Sequence, residues 1–125
     1  MSNEKFSLSW KEFESCTIDT FKDLLYNQDF TDVTLVCEDD KQIKAHKAVL
    51  SSCSNFFKRI LKKNPHQHPL IYLRGIKHCN LQAIIQFIYL GQTEVDQEDL
   101  ELFMIDAKEL EIRGLTKTTK GSSYA

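Results

Sequence analysis

Residues Phe30 to Phe57 read FTDVTLVCEDDKQIKAHKAVLSSCSNFF. Asp32 to Glu38 alternates Val33, Leu35 and Cys37 against Thr34 and Val36. Apolar or β-branched on both sides, it predicts a strand inside a sheet. Asp39-Asp40 supplies a turn. Gln42 to His46 returns as a second strand, with Ile43 and Ala45 on one face. From Lys47 the period becomes helical, and Val49, Leu50, Cys53, Phe56, Phe57, Ile60 and Leu61 form one apolar stripe. Ser54-Asn55 interrupts that stripe and predicts two short helices, one of these residues capping the second.

Outward from this hairpin and helix pair, the chain keeps to short elements. Phe6, Leu8 and Trp10 alternate with Ser7, Ser9 and Lys11, the period of a strand with one apolar face. Ile18, Phe21 and Leu25, with Leu24 beside them, predict an amphipathic helix over Phe13 to Asn27. The prolines of Asn64 to Pro69 forbid helical continuation and mark a loop. Leu70 to Leu73 reads as a third internal strand, ended by Gly75. Asn80 has the character of an N-cap for a helix carrying Leu81, Ile84, Ile85 and Ile88, which Gly91 closes. Thr93, Glu94 and Val95 read as a short strand. Asp96 then caps a helix whose inner face is Leu100, Phe103, Ala107 and Leu110, and Ile112 to Leu115 is a last turn closed by Gly114. The expected fold is α/β (α+β): a small mixed sheet flanked by a cluster of short helices. The domain is expected over residues 6–115, after a disordered 1–5 and before a polar, flexible tail or linker at 116–125.

At 125 residues the chain is the size of one domain. With 42% hydrophobic and 27% charged residues it has the profile of a globular protein. A net charge of −2 and a pI near 6.1 argue against direct nucleic-acid binding, which favours a high pI. No apolar run approaches the ~18 residues of a membrane span, and MSNEKFSLSW lacks the apolar core of a secretory signal. Cys16, Cys37, Cys53 and Cys79 are widely spread and are expected as free thiols.

Nothing in the pattern assembles catalysis. A Cys or Ser nucleophile needs a base and an orienting group close by. Cys53 falls on the apolar face of a helix, His46 reads as a satisfied structural histidine, and His66 and His68 fall in the solvent-facing loop. Cys53, His66, His68 and Cys79 share one stretch, but their spacing lacks the close ligand pairs of a zinc finger. No metal, cofactor or enzyme activity is expected. Lys58, Arg59, Lys62 and Lys63 read as a solvated helix face, with a weak contact to an acidic partner as the other reading.

The first strand points toward association. An edge strand exposing Phe6, Leu8 and Trp10 invites aggregation unless it is covered. It either folds back onto its own sheet or crosses to a second copy of the chain. Burying three such side chains contributes roughly 1.5–3 kcal/mol each, against association costs of about 4–15 kcal/mol. A stable dimer therefore needs a second patch, for which the helix face Ile18, Phe21 and Leu25 is the candidate.

Several motifs now agree in order: FTDVTL at 30–35, AHKAVLSSCSNFF at 45–57, FIYLGQTEV at 87–95 and AKELEIRGL at 107–115. Together they resemble the BTB/POZ domain over about Phe6 to Leu115, and Phe6-Ser7-Leu8-Ser9-Trp10 resembles the extra strand of its insect Tramtrack-type branch. The resemblance implies an obligate homodimer in which the first strand is exchanged between subunits. It implies an interface in which Phe6, Leu8 and Trp10 lie beside the strand Thr93, Glu94 and Val95 of the partner, while the first helix, with Phe13, Ile18, Phe21 and Leu25, packs against its symmetry mate. In the Tramtrack-type branch such dimers commonly assemble into hexamers. That branch often carries Asn two residues after the Trp, where this chain has Glu12. The resemblance further implies a charged pocket of Asp32 and Lys47 beneath the dimer interface, with Lys in place of the Arg of some relatives.

The function implied is an oligomerisation module of a nuclear transcription or chromatin regulator. Its partners would be itself, related BTB proteins and a corepressor, with DNA reached only through a longer chain or a partner. The other role in the family is a substrate adaptor for a cullin ubiquitin ligase. The Lys62 to His68 stretch lacks the acidic residue those adaptors present there, and little follows Leu115, which weighs against that role.

Overall fold

A computed structural model describes residues 3–115. In chain order the elements are α1 (Phe13–Asn27), β1 (Val33–Val36), β2 (Gln42–Ala45), α2 (Lys47–Cys53), α3 (Asn55–Lys63), β3 (Leu70–Tyr72), α4 (His78–Leu90) and α5 (Gln97–Glu109). The mixed α/β reading holds, with more helices than strands. The tail expected at 116–125 lies outside the described residues.

The sheet has the order β2-β1-β3. β1 pairs antiparallel with β2, Leu35 opposite Ile43, and parallel with β3, Leu35 opposite Ile71. Central β1 is buried along Val33, Thr34 and Leu35, as its two-sided apolar pattern requires. β3, expected as an internal strand, is instead an edge. Its Leu70 and Tyr72 are 61% and 53% exposed.

The break at Ser54 has a clear local cause. Ser54 adopts an extended backbone, φ −141° and ψ 121°, and its Oγ accepts the Phe57 N–H at 3.1 Å, capping α3. The same hydroxyl donates to the Leu110 carbonyl at 2.5 Å, and Ser54 bridges Ile112. The Arg113 N–H reaches the Cys53 carbonyl at 2.8 Å. The junction of α2 and α3 thus anchors the segment after α5. Phe57, Leu35, Leu50, Leu81, Ile84 and Ile112 are fully buried around it.

Three local expectations change. Asn80 does not cap α4: the helix begins at His78 after Lys77, and Asn80 is buried within its first turn, where Nδ2 donates to Asp106 Oδ2 at 3.1 Å. A side chain suited to an N-cap is here used to tie α4 to α5. Thr93 to Val95 forms no strand, and Phe6 to Trp10, also expected as a strand, forms none either. Both have extended-chain patterns, but a strand exists only where a neighbour completes its hydrogen bonds. Gly91 closes α4 as expected, in a left-handed conformation at φ 78°.

Candidate association surface

The apolar residues of the N-terminal segment find no cover among the described residues of their own subunit. Phe6, Leu8 and Trp10 are 80%, 92% and 60% exposed. Of the two readings open to this segment, folding back onto its own sheet is not what the subunit does. The ring of Trp10 meets Phe13 edge-on, centroids 5.3 Å apart, and the Phe13 N–H donates to the Trp10 carbonyl at 3.1 Å. That contact joins the segment to the start of α1.

Helix α1 continues the exposed apolar surface. It has no fully buried residue, although it rests against α4. Leu24 and Leu25 turn inward and pack on the core. Phe13, Ile18 and Phe21 remain exposed, as does Tyr26. Phe6, Leu8, Trp10, Phe13, Ile18 and Phe21 thus all lie open to solvent, far more apolar surface than isolated exposed residues explain.

Among the residues expected to receive a partner strand, Thr93 is half-buried and its Oγ1 donates to Gln86 Oε1 at 3.1 Å. Glu94 is exposed, and Val95 packs half-buried against the core. These three line the mouth of a pocket of about 410 Å³ with Phe87, Leu100 and Phe103 at its wall.

Asp32 and Lys47 are brought together, but through the main chain. Asp32 Oδ1 accepts the Lys47 backbone N–H at 2.7 Å, which satisfies one of the free donors at the start of α2. The Lys47 ammonium turns elsewhere and donates to the His66 carbonyl. Both side chains are half-buried. Within the described residues, charged groups closer than 4.0 Å occur only as Arg59 with Glu111, 2.8 Å apart at the surface.

Beside this junction lies a buried polar relay. The Tyr89 hydroxyl accepts the His46 backbone N–H at 2.9 Å and lies 2.7 Å from His46 Nδ1. The Asp29 carbonyl 2.6 Å from Nε2 can only accept, so Nε2 carries the ring hydrogen and donates to it; Nδ1 of the neutral ring is then the acceptor, and the phenol donates its hydrogen there. Burial pushes the Tyr89 phenol up to about 12, so it keeps that hydrogen at physiological pH. His46 is a structural histidine, as its position suggested. Cys37 is buried and its thiol is pushed up to about 11, chiefly by that burial, which makes it a poor nucleophile.

The BTB/POZ domain family model matches residues 21–123. The chain is 43% identical over 117 residues to the longitudinals lacking protein-like of Drosophila melanogaster, covering 94% of this chain and 91% of that relative. The chain belongs to the BTB/POZ family. In this BTB domain the Tramtrack-type character also holds: it is 38% identical over 117 residues to protein tramtrack, alpha isoform, of the same fly. That match spans 94% of this chain but 14% of the relative, and the 38% match to protein abrupt spans 13% of its relative. The BTB fold is shared with the zebrafish PATZ1 BTB domain, at a TM-score of 0.74 and 21% identity over 90% of this chain and 92% of that one. It is shared equally with the human gigaxonin BTB domain, at 0.73 and 20% over 91% and 93%. A BTB domain is a protein–protein interaction module.

Sequence reading did not anticipate the charge layout of this BTB domain. Of its 16 Lys and Arg, nine lie between residues 41 and 93, while all 18 Asp and Glu lie outside that range. The near-neutral total conceals the asymmetry. A running charge count along the chain would have exposed it.

Proposed function

We propose that this chain is the homo-association module of a nuclear transcription or chromatin regulator, a strand-exchanged dimer that assembles into higher multimers. The observation that carries this reading is the exposure of Phe6, Leu8 and Trp10 on a segment with strand periodicity and no strand partner among the described residues. Exchange places that strand beside Thr93 to Val95 of a second copy, and the open face of α1 supplies the second patch that the strand alone lacks. Asp32 and Lys47 then lie beneath the joined subunits as a charged pocket. Likeness to the Tramtrack-type relatives supports assembly beyond the dimer, a nuclear setting, and association with related BTB proteins and a corepressor. Contact with DNA is left to other parts of a longer chain or to a partner. No helix among the described residues is long and apolar enough to cross a membrane.

Light scattering across a dilution series tests the reading. The wild type is expected at twice or six times its 14.5 kDa subunit mass. Replacing Phe6, Leu8 and Trp10 together by Ser is expected to return 14.5 kDa with an unchanged far-ultraviolet spectrum. A wild type that is monodisperse as a single copy at micromolar concentration would overturn it.

A further inference from the structure

We infer that the groove between α3 and β3 is a docking site for an extended acidic peptide that adds a strand to the free edge of β3. Apart from Lys47, whose ammonium reaches the carbonyl of the lining residue His66, this surface shares no residue with the association surface, and the inference does not depend on the oligomeric state.

The backbone of β3 provides the first observation. The Thr34 N–H donates to the Pro69 carbonyl at 3.0 Å, and the Leu73 N–H donates to the Val36 carbonyl at 2.9 Å. The N–H and C=O of one strand residue point the same way, and neighbours alternate. Residues 69, 71 and 73 therefore address β1, while Leu70 and Tyr72 turn their N–H and C=O groups outward. β3 is the terminal strand of the sheet, so among the described residues that outer row has no strand beside it. Pro69 does not interrupt it, because the donor that proline lacks would have faced β1. An edge of this kind is a template for an incoming strand.

The walls supply the second observation. A groove of about 340 Å³ runs beside the edge, lined by Ile60, Leu61, His66, Leu70, Ile71 and Tyr72. Leu70 and Tyr72 are more than half exposed, so the groove offers apolar surface for alternate side chains of an added strand.

Charge identifies the occupant. The groove belongs wholly to the 41–93 stretch, which holds nine cations and no carboxylate. Lys62 and Lys63, both exposed, lie between the lining residues Leu61 and Asn64. The Lys47 ammonium is fixed at the carbonyl of His66, another lining residue. Arg59 is taken by Glu111, but Lys58, Lys62 and Lys63 form no ion pair with a described residue. An apolar strand flanked by carboxylates matches this surface in both hydrogen bonding and charge. A nucleic acid would satisfy the charge but leave the strand edge and the apolar walls unmatched.

Fluorescence anisotropy with a labelled peptide EEVTVTVEE and the full chain tests the site. Saturable binding is expected, weakened about tenfold by the double change Lys62→Glu and Lys63→Glu, and weakened again by 0.5 M salt. The peptide KKVTVTVKK is expected not to bind. Methylating the backbone nitrogens of alternate residues of EEVTVTVEE is expected to abolish binding in the one register that faces β3 and to spare it in the other, a readout that holds on the wild type even if the double variant folds poorly. No binding of EEVTVTVEE, equal binding of the lysine peptide, or indifference to N-methylation in both registers would each overturn the proposal. So would displacement of the peptide by a single-stranded oligothymidine that binds more tightly than the peptide at the same face.

Discussion

At the scale of single residues, buried polar groups carry more information than the apolar core around them. His46 commits its backbone N–H and both ring nitrogens to Tyr89 and Asp29, which links the α1–β1 connection, the start of α2 and the end of α4. Asp106 is the contrasting case. It is 3% exposed, and its side chain is held by the Asn80 amide. Burial raises its pKa above the ordinary carboxylate value, and the Asn80 hydrogen bond only partly opposes that rise. A carboxyl raised in the fold is protonated in both states at low pH, where it carries no penalty. As pH climbs past the ordinary value of 3.8, the unfolded chain loses its proton first, and stability falls until the folded carboxyl ionises as well. Thermal melts of wild type and Asp106→Asn across pH should therefore show the wild type losing stability relative to the variant as pH rises through that window. A difference between the two that stays constant with pH would refute the assignment. The role of His46 could be read from its place between a strand and a helix. The Asn80–Asp106 pair could not, because nothing in the local pattern joins residues 26 positions apart.

At the scale of elements, what was legible depended on whether an element is specified by its own residues. The hairpin, the amphipathic α1 and the glycine end of α4 carry their determinants locally, in periodicity and caps, and fold as read. Ser54 is the clearest instance. The expected interruption of a helical stripe is realised as a capped restart, and the hydroxyl that caps α3 also holds the Leu110 carbonyl. Ser54→Ala removes both bonds from a buried site. It should destabilise the fold by about 0.5–2 kcal/mol, seen as a lower urea midpoint at an unchanged m-value. An unaltered midpoint would mean that the cap is dispensable. Phe6 to Trp10 and Thr93 to Val95 are the opposite case. Their patterns are those of strands, but the neighbour that would complete either is not specified by nearby residues, and in one subunit neither forms. The edge position of β3 was likewise hidden, because an apolar run of LIY reads the same at the centre of a sheet as at its margin. Asp32 and Lys47 meet, but the bond that joins them is donated by a backbone amide, which charge pairing in a sequence does not reveal.

At the scale of the molecule, the two exposed surfaces differ in kind. The N-terminal segment and α1 present aromatic and aliphatic groups to solvent. The α3–β3 face presents an unpaired strand edge among lysines. An apolar surface gains most from a tightly packed, desolvated partner such as a second copy of itself, whereas a basic edge selects a ligand by charge and extended shape. This division predicts how stability depends on protein concentration. If the exposed rings of one subunit are buried only by another, the native state is stabilised by mass action, and a hundredfold rise in concentration adds about 2.7 kcal/mol per association step. The melting temperature of the wild type should then climb with concentration. With Phe6, Leu8 and Trp10 replaced by Ser, the subunit should keep its helical spectrum, because these side chains lie outside the core formed around Phe57 and Leu35. Its melting temperature should be lower and should not change with concentration. Calorimetric scans of both proteins at two concentrations decide the matter: a wild-type transition that stays fixed would mean that the apolar surface does not find its cover in another copy of this chain.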